Sequence, residues 1–340
     1  YLNLWLYSVH GPWQHKENDT AVFAQRRDPT GRQNNPVMAS MLKTVDDNLG
    51  RLVARLDELG LSSNTLFIFY SDNGGNVHSW RADDPKTRTI RPGHPLYETF
   101  QSYRRWAGDQ PPTNNEPLRE GKGRIYEGGI RVPLIVRWPG HVPAGVINST
   151  VVGCVDLFPT ILDALGVPPP PGHVVDGVSF LPALLEGRTL EREPYVVWFP
   201  HLIPAAAVRA GDWKLIRRFE PHEQYPDLLE LYNLRDDLGE RHNLAGTMPE
   251  KVRELNALLD RFIERTGALV PKPNPAWLAH GWQGLVPKFC TVAISGEVLR
   301  VTGTGREPFL GSGQIRLPGP LRLKLIARTA AGGPGRIRWL

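Results

Sequence analysis

The chain holds only two cysteines in 340 residues, Cys154 and Cys290. Two thiols so far apart make no disulfide framework, and neither has metal-ligand spacing. Both sit in apolar contexts and are expected to be buried structural cysteines. Long apolar runs are missing too: no stretch approaches the roughly 18 residues of a membrane-crossing helix, so no span is expected. Single-sign charge is equally scarce, with 40 basic residues against 35 acidic ones, a net charge of +5 and no long block of either kind. That balance speaks against a nucleic-acid stripe and gives weak support to an anionic substrate. No initiator Met opens the chain. Tyr1 stands at the start of an apolar run, and Leu340 follows a β-like one. Both ends are expected to be cuts through a longer protein, in which case a leader peptide would lie outside these residues.

What is present suits a large α/β domain with smaller companions: 41% of the residues are hydrophobic, and the chain exceeds one ordinary domain. The most informative stretch is Leu66-Phe67-Ile68-Phe69-Tyr70-Ser71-Asp72-Asn73-Gly74-Gly75. Five apolar or aromatic residues without alternation predict a strand covered on both faces, as in a parallel sheet. Ligands of such sheets bind beyond the carboxyl ends of the strands, where Asp72 and Asn73 stand. A carboxylate beside a carboxamide suits a hard cation. Asp-Asn-Gly is also an ordinary turn, and on these residues alone both readings stay open.

Taken in order, Leu2 to Val9 predicts a first strand, with His10-Gly11-Pro12 in the loop beyond it. Apolar residues from Met38 to Leu59 recur at three- and four-residue spacing and predict a helix stopped by Gly60, which completes a β-α-β unit. Residues 76–120 form a long irregular stretch mixing arginines with Trp80, Tyr97, Phe100, Tyr103 and Trp106. It reads either as an ordered wall for sugar rings and anions or as a stapled surface insertion. Lys122 lies between Gly121 and Gly123, a cation on backbone that can approach a ligand closely. Glu127 and Arg131 bracket a Gly-Gly turn and could pair with each other. Val132 to Trp138 and Thr150 to Val155 read as strands, and Asp156 to Leu165 as a helix capped by Asp156. Short antiparallel strands are predicted at Ala207–Ala210, Trp213–Arg218 and Leu229–Tyr232, after a strand Tyr195–Phe199 that runs into Pro200-His201. An amphipathic helix follows over Met248–Thr266. The divisions are 1–190, 191–270, a Pro-rich linker at 271–281, and an incomplete sandwich-like β-module at 282–340 with strands at Thr291–Ile294, Val298–Thr302 and Leu321–Ala327.

Phe69-Tyr70-Ser71-Asp72-Asn73-Gly74, then Gly121-Lys122-Gly123, then Tyr126-Glu127-Gly128-Gly129-Ile130-Arg131-Val132-Pro133 resembles, in that order, the sulfatase family of the alkaline-phosphatase superfamily. Leu6 to Pro12 resembles that family's histidine segment. Gly211 to Ile216 and Leu231 to Asp237 resemble its C-terminal subdomain. The resemblance runs from residue 1 to about 265, and within the family it is nearest to bacterial arylsulfatases and N-acetylgalactosamine-6-sulfatase-like carbohydrate sulfatases. It implies an alkaline-phosphatase-like α/β sheet flanked by helices, with a C-terminal α+β subdomain of antiparallel strands. It also implies a periplasmic or secreted enzyme that hydrolyses a carbohydrate or aryl sulfate ester. Asp72 and Asn73 would be two ligands of Ca²⁺, with Mg²⁺ the lesser alternative. Lys122 would bind sulfate oxygens and stabilise charge in the transition state. His10 would touch the sulfate or pass a proton to the leaving oxygen. His201 matches a substrate-contacting Phe-Pro-His segment.

The family's formylglycine nucleophile, made from Cys or Ser before x-Pro-x-Arg, has no counterpart in these residues, nor has its N-terminal aspartate pair or its Lys-x-His pair. The expectation is a fragment that lacks the N-terminal nucleophile region and is inactive alone. A phosphodiesterase or phosphonate hydrolase of the same superfamily, and a non-catalytic carbohydrate-binding homologue, are the alternatives.

Overall fold

The computed structural model describes residues 1–272 apart from 82, 191, 221 and 223, and beyond them the strand segments 285–288, 290–295, 298–303 and 309–312. Its helices are α1 Glu17–Ala24, α2 Pro36–Glu58, α3 Tyr97–Ala107, the single turn α4 Glu127–Ile130, α5 Leu157–Ala164, α6 Leu181–Glu186 and α7 Pro249–Thr266. Its strands are β1 Phe67–Tyr70, β2 Leu134–Arg137, β3 Tyr195–Phe199, β4 Ala205–Ala210, β5 Trp213–Arg218, β6 Leu229–Asn233, β7 Leu285–Lys288, β8 Cys290–Ser295, β9 Val298–Gly303 and β10 Phe309–Ser312.

The helix α2 starts where its chemistry says it should. Asn35 Oδ1 accepts from the amides of Val37 and Met38, both at 3.1 Å, and Pro36 fills the first turn, where no amide is needed. Its Val37, Met38 and Met41 enter a core with Trp13, Trp80, Phe100 and Tyr103. Trp80 meets Trp13, Phe100 and Tyr103 edge-on at 4.6, 5.2 and 5.0 Å between centroids, the geometry that aromatic quadrupoles prefer. Three of the aromatics in 76–120 are therefore interior, and α3 gives that stretch a spine. Trp80, Phe100 and Tyr103 thus serve as the hydrophobic staple of this stretch and are not free to stack on a sugar.

The strands β3 to β6 form one antiparallel sheet in sequence order. Alternation along β4 decides what each face meets. Ala206 and Val208 pack with Leu215, Leu231, and Val252, Leu255 and Leu259 of α7. Ala205 and Ala207 pack with Ile216 and Tyr232 against Ile125 and Tyr126. This second face is what ties the sheet to the segment carrying Lys122.

The mixture of helices and antiparallel sheets fits the α/β reading, but several local expectations fail. Residues 2–9 form no strand among the described residues: no neighbouring backbone offers a ladder, and Trp5 is 87% exposed. Strand β1 is half-buried, and it pairs antiparallel with β2 in the register Phe67↔Arg137 to Tyr70↔Leu134. Neither a parallel partner nor the β-α-β unit is present among the described residues. Thr150–Val155 is not a strand. Its end turns as a 3₁₀ segment, leaving Cys154 exposed rather than buried, because the turn points Asp156 inward in its place. The Asp156 carboxylate does not cap α5 either. It accepts from Gly153 N at 2.7 Å, Val178 N at 2.9 Å and Arg192 at 2.7 Å, pinning two loops together.

Residues 272–340 cluster as a separate unit. Within it β7 pairs antiparallel with β10 and β8 with β9, close to the strands expected at Thr291–Ile294 and Val298–Thr302. The side chain of Cys290, most of the linker 271–281 and the strand expected at Leu321–Ala327 lie outside the described residues.

Candidate active site

The loop after β1 is held by backbone, and glycines make that possible. Gly74 N donates to Gly129 O at 3.0 Å, and Lys122 N donates to Gly75 O at 3.0 Å. Asn115 Nδ2 reaches Gly75 O at 2.9 Å, Glu120 O at 3.0 Å and Gly128 O at 3.3 Å. A Cβ on Gly74 would land on Gly128 O, and one on Gly128 on Glu120 O. The approach is closer than any side chain allows. The Gly-Gly after Asp72-Asn73 and the Gly-Gly of α4 are two halves of one knot.

That knot brings Asp72, Asn73 and Lys122 into one neighbourhood. Asp72 is exposed and Lys122 half-buried. Asn73 Nδ2 donates to Gly74 O at 3.0 Å. Among the described residues no donor meets Asn73 Oδ1 or the Asp72 carboxylate, and no carboxylate meets Lys122 Nζ. Two hard oxygens of the kind a calcium ion accepts are thus unengaged at the mouth of the loop. They fit one side of such a site. Among the described residues no group of three or more His, Cys, Asp or Glu could hold an ion by itself.

The two histidines fare differently. His201 follows β3 and is exposed, with its ring 4.1 Å from that of Phe199. The next residue, Leu202, has its Cδ1 3.7 Å from where a Cβ on Gly123 would be, which sets this loop beside Lys122. His10 is exposed, with Nδ1 2.6 Å from Gly11 O. Its loop is anchored by Trp13 against Trp80, but no hydrogen bond or ion pair joins His10 to Asp72, Asn73 or Lys122.

Sequence reasoning missed His78 and Glu120. Their Nε2 and Oε2 lie 3.3 Å apart, and Tyr225 OH donates to Glu120 Oε1 at 2.6 Å. The hydrogen bonds from His78 and Tyr225 outweigh burial and hold the Glu120 carboxyl at about 2. Burial first, and then this carboxylate, push the Tyr225 hydroxyl up to about 12. Glu120 also has φ +62°, a left-handed conformation that costs a side-chain-bearing residue about 1–2 kcal/mol. The one signal in sequence was a glutamate standing directly before Gly-Lys-Gly.

Behind the knot lie two buried ion clusters. Lys214 Nζ sits 2.9 Å from Glu127 Oε1, 2.7 Å from Glu240 Oε1 and 3.0 Å from Ile125 O, and Glu240 Oε2 accepts from Glu127 N at 2.7 Å. Burial raises the Glu240 carboxyl against the pull of Lys214. Arg131, the expected partner of Glu127, stands further off at 3.9 Å. In the second cluster the Glu230 carboxylate accepts from Tyr126 and Tyr232, with Arg218 and Arg119 beside it. Both join the β3–β6 sheet to the 119–131 segment, so the sheet fixes the backbone from which Lys122 projects.

Comparison with known proteins gives the following. The family described as Sulfatase matches residues 1–167, and the family described as N-sulphoglucosamine sulphohydrolase, C-terminal, matches residues 121–266. N-acetylgalactosamine-6-sulfatase of Sus scrofa is 31% identical over 253 residues, covering 68% of this chain and 43% of that protein. N-acetylgalactosamine-6-O-sulfatase of Bacteroides thetaiotaomicron is 31% identical over 225 residues, covering 64% of this chain and 40% of that one. The crystal structure of Ps i-CgsB in complex with k-i-k-neocarrahexaose superposes with a TM-score of 0.57 at 28% identity, over 75% of this chain and 48% of that chain. The chain therefore spans less than half the length of these relatives.

Proposed function

The chain belongs to the sulfatase family, and on that premise we propose that the whole protein is a sulfuric ester hydrolase acting on a sulfated carbohydrate. The observation that carries this is the knot itself. Its backbone bonds put the main chain of Lys122 beside the turn that follows Asp72 and Asn73, which supports reading one ammonium and two hard oxygen donors as parts of one site. Sulfate needs both kinds of group: cations for its oxygens, and ligands for the ion that shares them.

In this reading Asp72 and Asn73 hold Ca²⁺ from one side. When bound, the ion and a formylglycine outside these residues supply charge neutralisation and the nucleophile. Lys122 binds the sulfate oxygens and, with its ammonium already in place, stabilises the charge that grows on them. His10 has Nδ1 donating to Gly11 O, so Nε2 is the nitrogen that, in the imidazolium form, would pass its proton to the departing alcohol oxygen and return to neutral imidazole. His201, on the loop whose Leu202 adjoins Gly123, would touch the sugar. Support for a carbohydrate substrate comes from the relatives named for N-acetylgalactosamine 6-sulfate and from the oligosaccharide complex. Among the described residues no helix is long and apolar enough to cross a membrane.

The test is kinetic. The whole protein, assayed on matched sulfate and phosphate monoesters of one alcohol, should show the larger kcat/KM on the sulfate. A preference for phosphate would overturn the proposal.

A further inference from the structure

The segment after Asp72-Asn73 runs antiparallel to the one that carries Lys122. Gly75 O accepts from Lys122 N at 3.0 Å, Val77 Cγ2 lies 3.1 Å from the Cβ position of Gly121, and His78 Nε2 lies 3.3 Å from Glu120 Oε2. His78 is thus paired with the position two residues before Lys122, within about 7 Å along the backbone, while the loop of His201 adjoins the position after it. The backbone of Lys122 thus lies between two histidine-bearing segments.

Resting on the sulfatase reading, we propose that His78, aimed by Glu120, is a specificity-determining residue that hydrogen-bonds a hydroxyl of the sugar whose sulfate Lys122 holds. The backbone at Glu120 is left-handed, a conformation glycine would adopt without strain. A carboxylate in that place needs a use for its side chain, and the side chain is fully engaged. Tyr225 OH at 2.6 Å and Gln224 Nε2 at 3.3 Å hold Oε1, which leaves Oε2 turned to the imidazole. His78 itself is not wedged into a core: its side chain is 35% exposed. A ring whose Nε2 faces a carboxylate at 3.3 Å and whose side chain keeps about a third of its surface exposed is suited to reading a neutral hydroxyl, which both donates and accepts. Glu120 and Tyr225 are positioning residues. Glu120 also keeps a negative charge near the anion site, so the pair serves the sugar and not the sulfate.

Kinetics of the full-length protein on two esters test this. One is 4-nitrophenyl sulfate, whose alcohol carries no further hydroxyl. The other is the best-cleaved member of a panel of sulfated mono- and disaccharides. His78→Ala should lower the ratio of kcat/KM for sugar over aryl sulfate roughly tenfold, the size of one lost hydrogen bond, and mainly through KM. Glu120→Gly relieves the backbone strain yet should shift the ratio the same way, and Glu120→Gln, which keeps an acceptor, should recover part of it. Lys122→Ala should depress both esters alike and leave the ratio unmoved. A wild-type ratio in both His78→Ala and Glu120→Gly would overturn the proposal. Failure of the wild type to cleave any member of either class would instead bring down the sulfatase reading beneath it.

Discussion

Two lysines show how position decides the work a charge can do. Lys214 is buried between Glu127 and Glu240 and is fully committed to them. Lys122 projects half-buried from backbone that is itself hydrogen-bonded, and among the described residues no carboxylate neutralises it. An ammonium on fixed backbone that no carboxylate neutralises is ready for an anion. Lys122→Ala in the full-length enzyme is therefore expected to lower kcat by about 10²–10³-fold, as for a lost oxyanion donor, with little change in thermal stability. Single-turnover kinetics and a melting curve check both halves. Glu120 allows a second prediction. Its carboxyl is lowered from 4.5 to about 2 by the His78 and Tyr225 hydrogen bonds. The folded chain thus binds this proton more weakly than the unfolded chain. The stability it contributes is whole above about pH 4.5 and fades as pH falls towards 2. Denaturant midpoints measured from pH 5 to 2.5 should fall less steeply in Glu120→Gln than in the wild type.

At the scale of elements, the sheet β3–β6 is what makes the loop mouth rigid. One face buries α7 and the other receives Ile125 and Tyr126, while the clusters around Lys214 and Glu230 lock the same segment by charge. Removing one member of a buried ion group strands the rest. Lys214→Ala should therefore destabilise the fold by about 3–5 kcal/mol, because Glu127 and Glu240 lose their buried countercharge; chemical denaturation measures it. Little of this was legible beforehand. The strands and α7 could be read from alternation and helical spacing. That Glu127, besides its expected pair with Arg131, would hold Lys214 more closely could not, since nothing in a sequence says which residue far along the chain arrives opposite a buried carboxylate. That Trp13 would complete a core with Trp80, Phe100 and Tyr103 was illegible for the same reason. Aromatics among arginines look like surface until their partners are known.

At the scale of the whole molecule, the proposed function gives the described residues one side of a cation site and one anion-binding lysine, and both can be tested. EDTA treatment of the complete protein should abolish turnover, with Ca²⁺ restoring it better than Mg²⁺. Asp72→Ala should weaken Ca²⁺ affinity while leaving the circular dichroism spectrum unchanged. Retained activity and ordinary calcium dependence in that variant would make Asp72 a turn residue only. The sequence by itself determined the family, through the order and spacing of Ser-Asp-Asn-Gly, Gly-Lys-Gly and Glu-Gly-Gly-Ile-Arg-Val-Pro, because close backbone approach admits only glycine at those points. The tertiary structure decided the rest. It paired β1 antiparallel with β2, turned Cys154 outward and buried the aromatic stretch. It left His10 without a contact to Lys122 and set His78 against Glu120. Each of these depends on which distant segments meet, and only the folded backbone fixes that.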